Sequence, residues 1–128
     1  MTELKIVYID DEPDIREVAE IALSLDPGIE VRTFGSGPEG LKALDDGIGP
    51  DLIMLDVMMP GMDGPAVLAE IRKRLELNEV PVVFITARAK SHEQARFLGL
   101  GAVAVITKPF DPMTLAQQLR AIAAREVR

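Results

Sequence analysis

Short β-branched or aliphatic runs alternate with longer segments whose apolar residues recur at helical spacing. No other feature of this chain restricts its fold so strongly. The runs are Lys5–Ile9, Glu30–Phe34, Leu52–Leu55, Val82–Thr86 and Val103–Thr107. Ile15, Val18, Ala19, Ala22 and Leu25 share one face of the first intervening segment; Val67, Leu68, Ile71 and Leu75 do so in the third, and Leu115, Leu119 and Ile122 in the last. The second segment, around Leu41 and Leu44, and the fourth, around Ala95 and Leu98, are shorter. Proline placement agrees. Pro13, Pro38, Pro65 and Pro112 stand where a helix should begin, where a missing N–H costs nothing and the fixed φ is already helical. Asp111 precedes Pro112 as a natural N-cap, and Ser91-His92-Glu93-Gln94 has the form of a capping box. Pro50 and Pro81 precede strands rather than interrupt them. The expected order is βαβαβαβαβα.

Strands separated by helices pair in parallel, because each crossover returns the chain to the same end of the sheet. Near-continuous apolar runs at the first, third and fourth strands indicate burial on both faces. The expectation is therefore an α/β fold: a doubly wound, five-stranded parallel sheet in a three-layer sandwich. In such folds the site lies outside the carboxyl ends of the strands. A length of 128 residues suits one domain spanning residues 1–128.

Charge and composition exclude several classes. Acids outnumber bases 21 to 14, for a net charge of -7. Such a surface is a poor partner for nucleic acid or an anionic membrane, since nothing neutralises the phosphates. There is no cysteine, hence no disulfide, thiol catalysis or thiolate-bound metal. The N-terminus is no signal peptide, and no apolar stretch approaches the roughly 18 residues of a membrane span. The expected setting is the cytoplasm.

The carboxyl ends carry the chemistry. Asp10, Asp11 and Glu12 follow the first strand, Asp56 the third, Thr86-Ala87-Arg88 the fourth and Lys108-Pro109-Phe110 the fifth; the second ends on Phe34-Gly35. Each has an ordinary reading as a turn acid, a β-former or a surface lysine. The fold brings them all to one rim. Close carboxylates repel unless a cation is supplied. An all-oxygen donor set without His or Cys suits Mg²⁺, with waters completing its shell. A carboxylate in that setting can serve as a nucleophile on phosphorus. Lys108 and Thr86 could then neutralise the transferred oxygens. The strand "LIML" would be rigid and buried so that Asp56, at its tip, is aimed. The glycines of "GSGPEG" lack a following Lys-Ser/Thr and do not make a P-loop. His92, the single histidine, sits in a polar helix start and reads as solvated.

Taken together, "DDE", "LDVMMPGMDG", "TA" and "KPF" resemble the receiver domain of two-component response regulators, over essentially the whole chain. The resemblance implies a flavodoxin-like sheet of order 2-1-3-4-5. It implies that Asp56 is the phospho-acceptor and that Mg²⁺ is held by Asp11 directly, by Asp10 mainly through water, by Asp56 and by the Met58 carbonyl. Lys108 would contact the phosphoryl group or Asp56. Thr86 would turn to hydrogen-bond the phosphate, with Ala87 leaving room, and the Lys108–Pro109 bond would be cis. The donor would be a sensor histidine kinase or a histidine phosphotransfer protein. The output would pass through the face of the fourth helix, fifth strand and fifth helix to a downstream protein partner, with homodimerisation left open. The chain would be a switch, not an enzyme. It departs from the family at Val105, where an aromatic ring commonly moves with the threonine. Met58 and Arg88 occupy positions that tune the phosphate's lifetime in the family. The alternative is a constitutive scaffold that keeps the fold without using phosphate. An aspartyl phosphatase or mutase is disfavoured because Met58 stands where a second Asp would be needed.

Overall fold

The computed structural model describes residues 3–88 and 90–126. Five strands, β1 (Leu4–Ile9), β2 (Ile29–Phe34), β3 (Leu52–Asp56), β4 (Val82–Thr86) and β5 (Ala104–Thr107), form one parallel sheet in the order β2-β1-β3-β4-β5. The helices are α1 (Pro13–Ser24), α2 (Gly37–Asp45), α3 (Gly64–Arg72), α4 (Ser91–Gly99) and α5 (Leu115–Glu126), with a short 3-10 turn at Leu75–Leu77. No helix among the described residues is long and apolar enough to cross a membrane.

Burial follows position in the sheet. The central strands β3 and β4 are buried at every residue and β1 at all but Lys5, because helices cover both faces. Edge strands β2 and β5 are only partly buried. Alternation along β1 divides the core. Val7 and Ile9 meet Leu41, Leu44, Val67 and Ile71 of α2 and α3 on one face. Ile6 and Tyr8 meet Ala19, Ala22, Leu23, Leu115 and Leu119 of α1 and α5 on the other. The strand registers level the carboxyl ends: Ile9 pairs Phe34 and Leu55, Asp56 pairs Ile85, and Thr86 pairs Thr107.

Several local expectations need correction. The buried stripe of α1 is Ala19, Ala22 and Leu23, whereas Val18 and Leu25 are exposed. One face of a helix holds i, i+3 and i+4, and packing against α5 selects the stripe rotated toward Leu23. Leu75 is exposed because α3 stops at Arg72. The Arg72 guanidinium donates to the Leu77 and Val80 carbonyls and gathers the chain into the 3-10 turn. α4 docks through Phe97, edge-on to Phe84 with ring centroids 5.3 Å apart, and leaves Ala95 and Leu98 outside. The capping box at Ser91 does not form. Lys90 is the N-cap and makes no side-chain cap, so Ser91 already lies within the helix. Regular α5 begins at Leu115, three residues after Pro112; Asp111 instead caps the preceding turn by accepting from the Met113 N–H at 2.9 Å. The limits of β4 are those expected, and each of the other four strands differs from expectation by one residue at one end.

Candidate functional site

The rim is built from backbone continuity. Asp56 is the last residue of β3, and the Val57 N–H continues the ladder to the Ile85 carbonyl at 3.1 Å. Asp10 follows β1 with its N–H on the Phe34 carbonyl at 3.0 Å. The Lys108 N–H bonds the Thr86 carbonyl at 2.8 Å, and the Lys108–Pro109 peptide is cis. Behind Asp56 the loop turns back so closely that a Cβ on Gly64 would lie 2.6 Å from the Asp56 carbonyl oxygen. Gly64 is therefore required by contact: its N–H bonds the Val57 carbonyl at 2.9 Å and anchors the start of α3, which Asp63 caps.

These elements bring Asp10, Asp11, Glu12 and Asp56 together, with one carboxylate oxygen from each within 4.8 Å of the others. Lys108 answers them from just after β5: its Nζ lies 2.9 Å from Asp10 Oδ2, 3.1 Å from Asp56 Oδ1 and 3.1 Å from Glu12 Oε1. Asp10 is well supplied with donors. Its Oδ1 accepts from the Glu12 N–H at 2.9 Å, and its Oδ2 accepts from the Tyr8 hydroxyl as well as Lys108. Arg16 donates to the Asp10 carbonyl at 2.6 Å and secures the turn. Asp56 is not well supplied. Its Oδ2 is, among the described residues, the one buried side-chain polar atom without a hydrogen-bond partner.

The electrostatics follow. Burial, then the Asp10 charge, push the Asp56 carboxyl up to about 7; Lys108 opposes them and Asp11 adds to them. Burial draws Lys108 down, but hydrogen bonds to Asp10, Asp56 and Glu12 outweigh it and hold the ammonium above its ordinary range. One lysine cannot neutralise four acids. The arrangement is short of positive charge, with oxygen donors only, and fits a hard divalent ion.

The expected residues otherwise lie as follows. Thr86 is buried at the end of β4, and its Oγ1 accepts from the Arg88 N–H at 3.0 Å. Met58 is 67% exposed in the loop after β3. Val105 is partly buried against the α2–α4 side of the core, and His92 is exposed. Two contacts escaped sequence reasoning. Glu12 was visible in the motif, but nothing marked its side chain as a partner of Lys108. Tyr8 lay within the first apolar run and was not singled out; its spacing of two from Asp10, just past the strand, was the available signal.

The profile described as "Response regulator receiver domain" matches residues 6–120. The chain is 37% identical over 120 residues to the transcriptional regulatory protein CseB of Streptomyces avermitilis, covering 94% of this chain and 49% of that protein. It is 36% identical over 121 residues to the transcriptional regulatory protein CpxR homolog of Haemophilus influenzae, covering 94% and 51%. It thus spans about half the length of these curated relatives. Among solved structures, Vibrio cholerae chemotaxis protein CheY4 superposes with a TM-score of 0.85 at 28% identity, over 94% of this chain and 99% of that one.

Proposed function

Because this chain belongs to the response regulator receiver family, a family of two-component signalling domains, we propose that it is a phospho-accepting switch with Asp56 as the acceptor. The observation that carries the reading is the state of Asp56: buried at the tip of a fully buried strand, one oxygen on Lys108, the other with no donor, facing acids from β1. A carboxylate placed only for stability would have its lone pairs satisfied.

Asp10, Asp11 and Asp56 would hold Mg²⁺ with the Met58 carbonyl. The donor set fits it, being all oxygen, short of positive charge and including the unpartnered Asp56 Oδ2. When bound, the ion supplies charge that offsets the phosphoryl oxygens. The chain's own residues do the rest. Asp56 attacks phosphorus as the bond from phosphorus to the donor's imidazole nitrogen breaks. Lys108, already 3.1 Å from Asp56 Oδ1, pairs with a transferred oxygen. The Thr86 hydroxyl, which accepts from Arg88 N–H, retains its own proton to donate to another. The donor is a sensor histidine kinase or a phosphotransfer protein in the cytoplasm. The change at Thr86 biases the face of α4, β5 and α5 toward a downstream protein. With Val105 in place of a ring, that output runs through Thr86 and the backbone between β4 and β5.

Intact mass after incubation with acetyl phosphate tests this directly. The expected result is a gain of one phosphoryl group that requires Mg²⁺ and is absent from Asp56→Ala. No gain in the wild-type chain under either condition would overturn the acceptor role.

A further inference from the structure

Tyr8 is the polar member of an otherwise apolar layer. It is fully buried in β1 beside Ile6, facing Ala19, Leu23, Leu115 and Leu119 of α1 and α5. A phenylalanine would fill that space and leave no hydroxyl to satisfy, whereas a buried hydroxyl needs a partner. The Tyr8 hydroxyl donates to Asp10 Oδ2, two residues along the same strand face. Asp10 is itself wholly buried, and Lys108 Nζ sits 2.9 Å from that same oxygen.

We propose that Tyr8 is a positioning residue of the cation site: its hydroxyl orients Asp10 toward the metal and leaves Lys108 free to turn to the acceptor. The inference rests on Asp10 serving the Mg²⁺ site. Lys108 is shared by Asp10, Glu12 and Asp56. When it pairs with a phosphoryl group on Asp56, the buried Asp10 loses the lysine as a donor. Two donors stay with Asp10 throughout, the Glu12 N–H on Oδ1 and the Tyr8 hydroxyl on Oδ2. Both come from β1 and the turn after it, so they are fixed to the backbone that carries Asp10. Hydrogen bonds to metal-ligating carboxylates commonly hold ligand geometry in this way, and their loss weakens metal binding about 10–100-fold.

The chain supplies its own reporter, since it has one tyrosine and no tryptophan. The near-ultraviolet tyrosine band is therefore Tyr8 alone, and it is sensitive to the strength of the hydrogen bond its phenol donates. The experiment is calorimetric titration of MgCl₂ into metal-free wild type and Tyr8→Phe, alongside the wild-type tyrosine difference spectrum. The expected result is about tenfold weaker binding in the variant, with a wild-type spectral change that saturates at the Mg²⁺ concentration seen by calorimetry. Equal affinity in a folded Tyr8→Phe overturns the proposal. Should the variant not fold, the spectrum decides, and a tyrosine band unmoved by saturating Mg²⁺ overturns it. Wild type that binds no Mg²⁺ would instead overturn the reading of the site on which the proposal rests.

Discussion

The charges between the helices and the charges at the rim obey opposite logic. Arg74 bridges α3 and α2, with Nε 2.7 Å and Nη2 3.0 Å from the Asp45 carboxylate. Near the end of α1, Asp26 receives the Arg120 guanidinium of α5 on both oxygens. Glu70 is paired by Lys73 and Arg74. The arginine or lysine beside each of these acids holds its carboxyl below the ordinary range. At the rim one lysine faces four acids, and burial and Asp10 raise the Asp56 carboxyl instead. Where charge serves only to hold helices together it is balanced locally. Where it is left unbalanced and dry, the arrangement has room for the cation and the phosphoryl group proposed above.

The comparison breaks hardest at Lys108. Lys108→Ala strips the rim acids of the lysine they share and should destabilise the metal-free chain by about 3 kcal/mol in urea unfolding, the usual cost of stripping one partner from a buried ion pair. Saturating Mg²⁺ should recover much of that loss. A variant as stable as wild type in chelator would mean that the rim is less strained than its geometry implies.

Asp56→Asn should act in the other direction, stabilising the metal-free chain by a few kcal/mol at pH 8. The folded carboxyl is raised to about 7 from its ordinary 3.8. Its protonation therefore contributes stability that is full below the unfolded value and disappears as pH rises through the folded one. The advantage of Asn should accordingly grow between those limits and level off above them. An advantage independent of pH across that range would place its origin elsewhere than in the charge of Asp56.

Met58→Asn should shorten the phosphorylated state severalfold with little change in stability, because an exposed thioether that screens water is replaced by an amide that hydrogen-bonds it. The rate of phosphoryl loss after rapid removal of donor measures this, and an unchanged rate would remove Met58 from the control of lifetime. The smallest effect belongs to the balanced pairs. Asp45→Ala should lower the melting midpoint only slightly, and the difference should fade in about 1 M NaCl, where exposed charges are screened. Because Arg74 lowers the Asp45 carboxyl, its contribution is present above the ordinary carboxylate range and is lost as pH falls through the depressed value.

Where the comparison concerns local sequence, much was legible in advance. The strands were visible because short apolar runs between prolines have one reasonable conformation, and their parallel pairing followed from the helices between them. The rim was visible because parallel strands put their carboxyl ends at one edge. Helix faces were less legible. Val18 and Leu25 have the same composition signal as Leu23, and only docking against α5 decides which of them is buried. The same holds for Phe97, which takes the place expected of Leu98 because Phe84 lies beneath it.

The sequence by itself determined the order of elements, the sheet and the identity of the residues at its edge, since these depend on periodicity, turn chemistry and the direction of crossovers. Only the tertiary structure decided how those residues divide their hydrogen bonds. That Asp10 has three donors while Asp56 has an oxygen with none, that Lys108 is shared three ways, and that Tyr8 reaches the site from within the core depend on distances between β1, β3 and β5. Such distances are set by packing of the whole sheet against its helices, and no window along the chain contains them.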